Sequence, residues 1–401
     1  MASTIIPMLI GSLPGHHPTA PSLSSAVAAT PTADGVDRIS ALPEELLREI
    51  ISRLPVRDAA RTAAIVSRWR GLWRSTRLVL RDDDLLPASD DNSESARAAA
   101  SATTGRVLAH HPGPFGVVHL TCSAFTSREL PKTRLPADIL HCASLRRLFL
   151  GTWRFPDTAG AHRGPDVFPE LKELGMCSTT MGDHDLDHML ACSPKLETLS
   201  LIFTIIRPGG VRICSQRLQC MLFLTSTAEE LAVLDAPCLQ RLIMRESKNY
   251  GSDGMLVVKI DRAPELRVLG YLEPAAHRLQ IGNVVISAET KESPSSILPS
   301  VKILGLKVNF SVFEEVNLIP NFLRCFPNVE TLHIQSAFAA GEATGSHHAK
   351  FWPEVRHIVS SGISRKLSSM NSEGAKASLN SSSSSPSVRR RWTLCYFCGT
   401  K

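Results

Sequence analysis

The sequence has few aromatic residues and no apolar run long enough to cross a bilayer. Aromatic side chains make up 5% of its 401 residues, although hydrophobic residues of all kinds make up 43%, which is typical of a packed protein. No stretch approaches the roughly 20 consecutive apolar residues that a membrane-spanning helix needs. We therefore expect no membrane partner.

Residues 1–35 contain neither lysine nor arginine. A secretory signal begins with a basic region and organellar transit peptides are rich in arginine, so neither is expected here. The abundance of Pro, Ser, Thr and Ala instead predicts a disordered tail over residues 1–36. We expect a protein of the cytoplasm, the nucleus or both.

The sequence also lacks a disulfide framework and a strong charge of either sign. A disulfide-stapled secreted domain would be shorter and denser in cysteine than this chain, which has ten. The net charge of +6 is modest for the length, so no nucleic-acid partner is expected. Most cysteines lie singly in or beside apolar runs and should behave as small core residues: Cys122, Cys142, Cys177, Cys192, Cys214, Cys220, Cys238 and Cys325.

Catalytic motifs are missing as well. There is no glycine-rich phosphate loop and no nucleophile elbow, so we expect no catalytic residues, no cofactor and no enzymatic activity of this chain itself. Cys395 and Cys398 have the spacing of metal or redox cysteines, but no second pair completes a tetrahedral site. We interpret them as inert residues of the tail.

His184 and His188 also have the spacing of two zinc ligands on one helix face. Leu186, Met189 and Leu190 should define the buried side of that helix and leave both histidines in solvent. No third ligand is indicated nearby. We therefore expect no metal site and interpret the segment as a solvent-facing helix start.

Between residues 37 and 74 the sequence is dense in large apolar residues. Pro43 is suited to the first position of a helix, and the carboxylates of Glu44 and Glu45 favour its first turn. Pro55 ends the predicted helix. One apolar stripe recurs at helical spacing: Leu46, Leu47, Ile50, Ile51 and Leu54.

Two further short helices should come next. Asp58 is a candidate cap for a helix from Ala59 to about Val66, and a third helix would place Trp69 and Trp73 on one face. A three-helix unit of this size cannot bury its own apolar stripe. It is predicted to be completed by a partner.

These helices resemble the F-box of plant F-box proteins, which we assign to residues 37–80. The resemblance implies binding to the Skp-type adaptor of a cullin-RING ubiquitin ligase. It rests on Leu42-Pro43, Leu47, Ile51, Leu54-Pro55, Ala60, Thr62, Ser67, Arg68-Trp69-Arg70 and Leu72-Trp73. The adaptor contacts expected from it are Leu42, Pro43, Leu47, Ile51, Leu54, Pro55 and Trp69.

One feature departs from the F-box pattern. The family usually has two basic residues between the serine and the first tryptophan, whereas Arg68 alone separates Ser67 from Trp69. One residue fewer in a continuous helix rotates all later residues of that helix by about 100°. We expect the third helix to differ most from the family's contacts.

After a linker at residues 81–97, a short apolar phrase recurs about every 21 to 35 residues. Such a period indicates a solenoid of stacked repeats, each of which ends in a short strand of a parallel sheet. The phrases lie at 145–150, 171–176, 196–201, 218–223, 239–244, 266–271, 301–306 and 329–334.

The remaining segments fill in this α/β architecture. Helices are expected at 98–110 and 185–191, an early strand at 115–122, and a two-stranded insertion from 278–281 and 283–286. The phrases resemble leucine-rich repeats, which we assign to residues 98–340. Residues 350–354 resemble the start of an FBD region, and 341–401 read as a truncated or degenerate FBD-like segment with a serine-rich tail.

The resemblance implies the substrate-recognition subunit of an SCF-type ubiquitin ligase, in which the F-box docks the adaptor and the repeats bind an unknown target protein. The alternative hypothesis is a non-degradative leucine-rich-repeat scaffold with a vestigial F-box. Nucleic-acid binding through the arginine-rich segments ranks last.

Overall fold

The computed structural model describes residues 39–336, except 40, 66, 77, 82–93, 112–113, 121–133, 157, 159–163, 250–253, 287–296 and 310–311, together with 368–370 and 376–378. No helix among these residues is long and apolar enough to cross a membrane. The expectations for the N-terminal tail, the FBD-like segment, Cys122, Cys395 and Cys398 lie outside the described residues.

Six α-helices and one 3₁₀-helix are described. Their bounds, in chain order, are α1 (Glu44–Arg53), α2 (Val56–Ile65), α3 (Ser67–Ser75), α4 (Glu94–His110), the 3₁₀-helix (Ala137–His141), α5 (Asp183–Ala191) and α6 (Phe313–Cys325).

The three N-terminal helices are close to those predicted. Pro43 is the residue before α1 and not its first residue, although its carbonyl accepts the first helical hydrogen bond, from Leu47 N–H at 3.1 Å. Helix α2 begins at Val56, so Asp58 lies in its first turn and is not the cap; it forms an ion pair with Arg61 at 3.1 Å. Helix α4 begins inside the segment predicted as a linker.

Nineteen strands are described. They are β1 (Leu78–Arg81), β2 (Phe115–Leu120), β3 (Arg147–Gly151), β4 (Glu173–Cys177), β5 (Thr180–Met181), β6 (Thr198–Ile202), β7 (Ile205–Ile206), β8 (Val211–Cys214), β9 (Cys220–Leu224), β10 (Glu230–Asp235), β11 (Arg241–Arg245), β12 (Leu256–Ile260), β13 (Val268–Leu272), β14 (His277–Ile281), β15 (Val284–Val285), β16 (Ile303–Val308), β17 (Thr331–Ser336), β18 (Ser368–Met370) and β19 (Lys376–Ser378).

The main sheet of the molecule has ten parallel strands, and we call it the long sheet. Its order is β1-β2-β3-β4-β6-β9-β11-β13-β16-β17, so each strand lies beside the next repeat's strand. All eight predicted phrases provide a strand of this sheet, and the parallel α/β fold expected from the sequence is confirmed.

A second sheet lies behind the middle repeats, in the order β15-β14-β12-β10-β8. Its strands are parallel except for β15, which pairs antiparallel with β14. The predicted two-stranded insertion is therefore a hairpin, but its first strand continues this sheet. Among the described residues, α-helices connect strands of the long sheet towards its two ends: α4 between β1 and β2, α5 between β4 and β6, and α6 between β16 and β17.

One hydrophobic core runs between the layers for the whole length of the solenoid. Leu199, Met221 and Leu242 from the long sheet and Val233 and Val258 from the second sheet all have zero exposure. Each repeat buries its apolar side chains against its neighbours, which is how a solenoid is stabilised.

Five strands of the long sheet end in the same turn. The residue after each strand has a left-handed backbone with φ between +50° and +58°: Thr152, Ser178, Phe203, Thr225 and Glu246. Buried hydroxyls on the next residues bond to neighbouring backbone, as Ser226 Oγ does to Leu201 O at 3.1 Å and Ser247 Oγ to Phe223 O at 2.7 Å. These contacts tie consecutive repeats together.

Candidate functional site

The N-terminal helices keep several large apolar side chains at the surface. Ile39 is 57% exposed and Leu46 is 51% exposed, while Pro43 is exposed and Leu42 and Ile50 are half-buried. Leu46 and Ile50 are four residues apart and so share one face of α1. We call Ile39, Leu42, Pro43, Leu46 and Ile50 the N-terminal patch.

The opposite side of α1 faces the core of the molecule. Leu47 and Ile51 have zero exposure, and burial of each stabilises the fold by about 1.5–3 kcal/mol. Trp69 is 7% exposed and belongs to the same core. The expectation that these three side chains contact an adaptor directly therefore needs correction, because almost none of their surface is available to a partner.

The other expected contacts remain nearer the surface. Leu54 and Pro55 are half-buried at the end of α1. The turn that carries Leu42 is fixed to α3, since Arg68 Nη2 donates a hydrogen bond to Leu42 O at 3.1 Å. The single basic residue of the Ser67-Arg68-Trp69 junction thus links α3 to the turn that begins the N-terminal patch.

The three helices are joined to the solenoid through β1. This strand pairs in parallel with β2, and the buried Leu80 on it belongs to the core that contains Leu47 and Ile51. At the same junction the Trp73 ring meets the His111 ring edge-on at 4.3 Å, and His111 Nε2 lies 3.1 Å from Trp73 O. The helices therefore cap the first strand of the sheet.

A groove of about 800 Å³ lies where α1 meets the first strands. Several ion pairs stand at its wall, including Arg147 Nε to Glu173 Oε1 at 3.1 Å and Lys172 Nζ to Glu197 Oε1 at 2.7 Å. The groove is lined by Glu45, Arg48, Glu49, Ser52, Ser75, Thr76, Val79, Gly116, Val117, Arg146, Arg147, Lys172 and Glu173.

The long sheet carries a second apolar cluster on the face opposite the core, which we call the solvent-side face. Side chains alternate across a strand, so the residues between the core leucines point to this face. The cluster comprises Cys177, Ile202, Phe203, Leu222, Leu224 and Ile243, and we call it the sheet patch. The sequence analysis did not predict this cluster. All five residues of β9 are apolar, which would have indicated that the strand carries apolar side chains on both faces of the sheet.

The profile of the F-box domain matches residues 39–81. A second profile, described as the LRR repeats of FBD-associated F-box protein At5g56370, matches residues 116–334, which is more than half of the chain. The chain belongs to the FBD-associated F-box family. Its three N-terminal helices are the F-box, and its repeats are leucine-rich repeats of this family.

The individual proteins to which the chain is similar carry F-box, FBD or LRR-repeat names. FBD-associated F-box protein At5g27750 from Arabidopsis thaliana is 46% identical over 385 residues, covering 77% of this chain and 81% of its own length. The F-box/LRR-repeat protein At5g02910 and the F-box/FBD/LRR-repeat protein At1g13570, from the same plant, are 27% and 28% identical over 42% of this chain. Those matches span 39% and 44% of the two relatives, less than half of their length.

Only one of the two histidines singled out in the sequence lies in solvent as expected. His184 is exposed, 3.3 Å from Asp185 Oδ1, but His188 is 1% exposed and its ring lies 3.7 Å from Cys192 Sγ. The buried face of α5 is wider than Leu186 and Met189 alone indicated, because Asp185 and His188 are buried as well. His188 is therefore a core residue. Within the described residues, no cluster of three or more His, Cys, Asp or Glu is arranged to hold a metal ion.

The seven described cysteines are free thiols. Most are buried or half-buried as predicted, but Cys214 and Cys238 are exposed, so the expectation of core positions is wrong for these two. Burial raises the pKa of the Cys142 and Cys177 thiols to about 11 each. Both are therefore protonated, weak nucleophiles at neutral pH.

Proposed function

We propose that this protein is the substrate-recognition subunit of an SCF-type cullin-RING ubiquitin ligase. Its F-box docks a Skp-type adaptor, and its repeats bind a target protein. Catalysis takes place in other subunits, while this chain brings the target close and orients it. The proposed adaptor-binding domain spans residues 37–80, and the proposed target-binding solenoid spans residues 98–340.

The observation that carries the proposal is the N-terminal patch. An apolar surface containing Ile39 and Leu46, both more than half exposed, is costly to leave in water and is typical of an interaction site. The patch lies within the matched F-box segment and includes Leu42 and Pro43, two of the contacts expected from the resemblance. We propose Leu42, Pro43 and Leu46 as its main adaptor contacts, with Leu54 and Pro55 at the margin.

The junction between the two regions supports the same function. The F-box shares one core with the solenoid, so the two form a continuous packed unit between the N-terminal patch and the solvent-side face. A rigid connection of this kind fixes the direction in which a bound target is presented. We propose that Leu47, Ile51 and Trp69 support adaptor binding indirectly, through this packing.

Co-purification of the adaptor with the chain tests the proposal. The wild type should retain a Skp-type adaptor, and a Leu42→Ala/Pro43→Ala double variant should lose most of it, because anchors at the centre of an interface dominate its affinity. Equal recovery of the adaptor by both proteins would overturn the docking assignment. Failure of the wild type itself to bind the adaptor, despite normal folding, would favour the scaffold with a vestigial F-box.

A further inference from the structure

The solvent-side face carries apolar side chains that the solenoid does not need for its core. The apolar side chains of β6, β9 and β11 that point inward, such as Leu201, Phe223 and Leu242, already fill the main core, whereas the sheet patch forms a separate cluster. Its residues Leu222 and Ile243 are half-buried, so part of each side chain reaches the surface, and they lie side by side in the parallel register. They are free to contact another molecule.

Two arginines flank this patch on the same strand. Arg241, Ile243 and Arg245 alternate along β11, so all three point to the solvent-side face. Arg241 lies in register with Cys220, and Arg245 lies in register with Leu224. A positive charge therefore stands at each end of the apolar surface.

The negative charge near these arginines does not neutralise both. Glu246 Oε1 is 3.9 Å from Arg245 Nε, a long contact between side chains that are 48% and 38% exposed. Glu173, on the same face two repeats before β9, is paired with Arg147 at 3.1 Å. The charge balance at the patch therefore favours an anionic partner.

The dimensions of the surface limit what it can hold. Neighbouring strands are about 4.8 Å apart, so the four strands from β4 to β11 span roughly 15 Å. Arg241 and Arg245 are four residues apart along a strand, which is about 13 Å. Such an area accommodates two or three bulky side chains with carboxylates on either side of them.

We propose that the sheet patch binds a short segment of the target protein in which bulky apolar residues are flanked by aspartate or glutamate. The apolar side chains cover Leu222 and Ile243, and the carboxylates pair with Arg241 and Arg245. This inference rests on the proposed function for its biological meaning, since it names the class of target segment that the repeats recognise.

Four labelled ten-residue peptides with blocked ends test the proposal by fluorescence polarisation with the full chain. They alternate leucine with aspartate, leucine with lysine, leucine with serine, and glycine with aspartate. We expect the Kd of the leucine/aspartate peptide to be about tenfold lower than that of the leucine/serine peptide, because two exposed ion pairs add to apolar burial. The glycine/aspartate peptide should not bind measurably.

Variants then localise the binding. Ile243→Glu should raise the Kd of the leucine/aspartate peptide at least about tenfold, and Arg241→Glu/Arg245→Glu should shift the preference to the lysine peptide. The matched controls are Arg217→Glu, an exposed arginine in the loop before β9, and Val285→Glu, an apolar residue that is 44% exposed on β15. Both controls should leave the Kd unchanged.

Absence of saturable binding, equal affinity for the aspartate and lysine peptides, or insensitivity to the β11 variants would each overturn the proposal. Adaptor binding by the same variants is measured separately and should match the wild type, because β11 lies far from the F-box along the sheet. If the wild type fails to bind the adaptor but keeps its preference for the leucine/aspartate peptide, the ligase assignment is contradicted and the protein is a peptide-binding scaffold.

Discussion

Leu46 and Leu47 are neighbours in the sequence but have different roles. Leu46 is 51% exposed at the N-terminal patch, whereas Leu47 has zero exposure in the core. The apolar periodicity of α1 placed both in a single broad stripe. A pattern of this kind predicts the helix well, but it does not tell which edge of the stripe meets the protein's own core and which remains for a partner.

His277 is a buried titratable residue whose hydrogen bonds require the neutral ring. Glu273 N–H donates to its Nδ1 at 3.1 Å, and its Nε2 lies 3.1 Å from Ser247 O. Burial lowers the pKa of His277. On acidification below about pH 6.5 the unfolded chain therefore takes up a proton that the folded chain does not.

We predict that this difference makes the free energy of unfolding fall as the pH decreases from 7 to 5, by up to about 1.4 kcal/mol per pH unit from this residue. His277→Gln, which has no titrating ring, should show a shallower decrease, measured by chemical denaturation at several pH values. The exposed residue His141 provides the matched control, His141→Gln. Parallel pH profiles for the wild type and His277→Gln would contradict the prediction.

At the scale of elements, the long sheet was the most predictable part of the molecule. Each repeat places three apolar residues at fixed spacing, and all eight phrases form strands as expected. Of the second sheet, only the hairpin of β14 and β15 was predicted. In strand β8 of this sheet, Val211 and Ile213 alternate with Arg212 and Cys214, but β12 reads Leu-Val-Val-Lys-Ile and has no such alternation, so helices were the expectation for these connections.

The turn that ends five strands has a backbone conformation that side chains rarely adopt. Thr225 has φ +50°, and a branched side chain is strained there by about 1–2 kcal/mol. Thr225→Gly should therefore raise the free energy of unfolding by up to about 1 kcal/mol, after allowance for the greater freedom of glycine in the unfolded chain.

The control is Thr198→Gly in strand β6, where glycine only weakens the strand and should lower the free energy of unfolding by about 0.5–1 kcal/mol. Chemical denaturation compares the three proteins. A loss of stability in Thr225→Gly equal to that in Thr198→Gly would show that the left-handed turn is not strained.

For the molecule as a whole, the sequence predicted two binding regions but not how they are joined. The F-box was expected at residues 37–80, with a linker at 81–97 before the repeats, and nothing in the sequence indicated that β1, directly after α3, pairs with the first strand of the repeat region. Pairing of β1 with β2 depends on contacts between residues distant in sequence, which local patterns do not report. The result is a shared core from α1 to β17.

The affinity of a purified Skp-type adaptor for the chain, measured by calorimetry, tests the central claim most directly. Leu46→Asp places a carboxylate in the proposed interface, so it should weaken binding at least about tenfold. Its melting temperature should not change, because Leu46 is 51% exposed. Val285→Asp, at a position that is 44% exposed on β15, should bind like the wild type. Equal affinities for the wild type and Leu46→Asp would contradict the assignment of the N-terminal patch as the adaptor-binding surface.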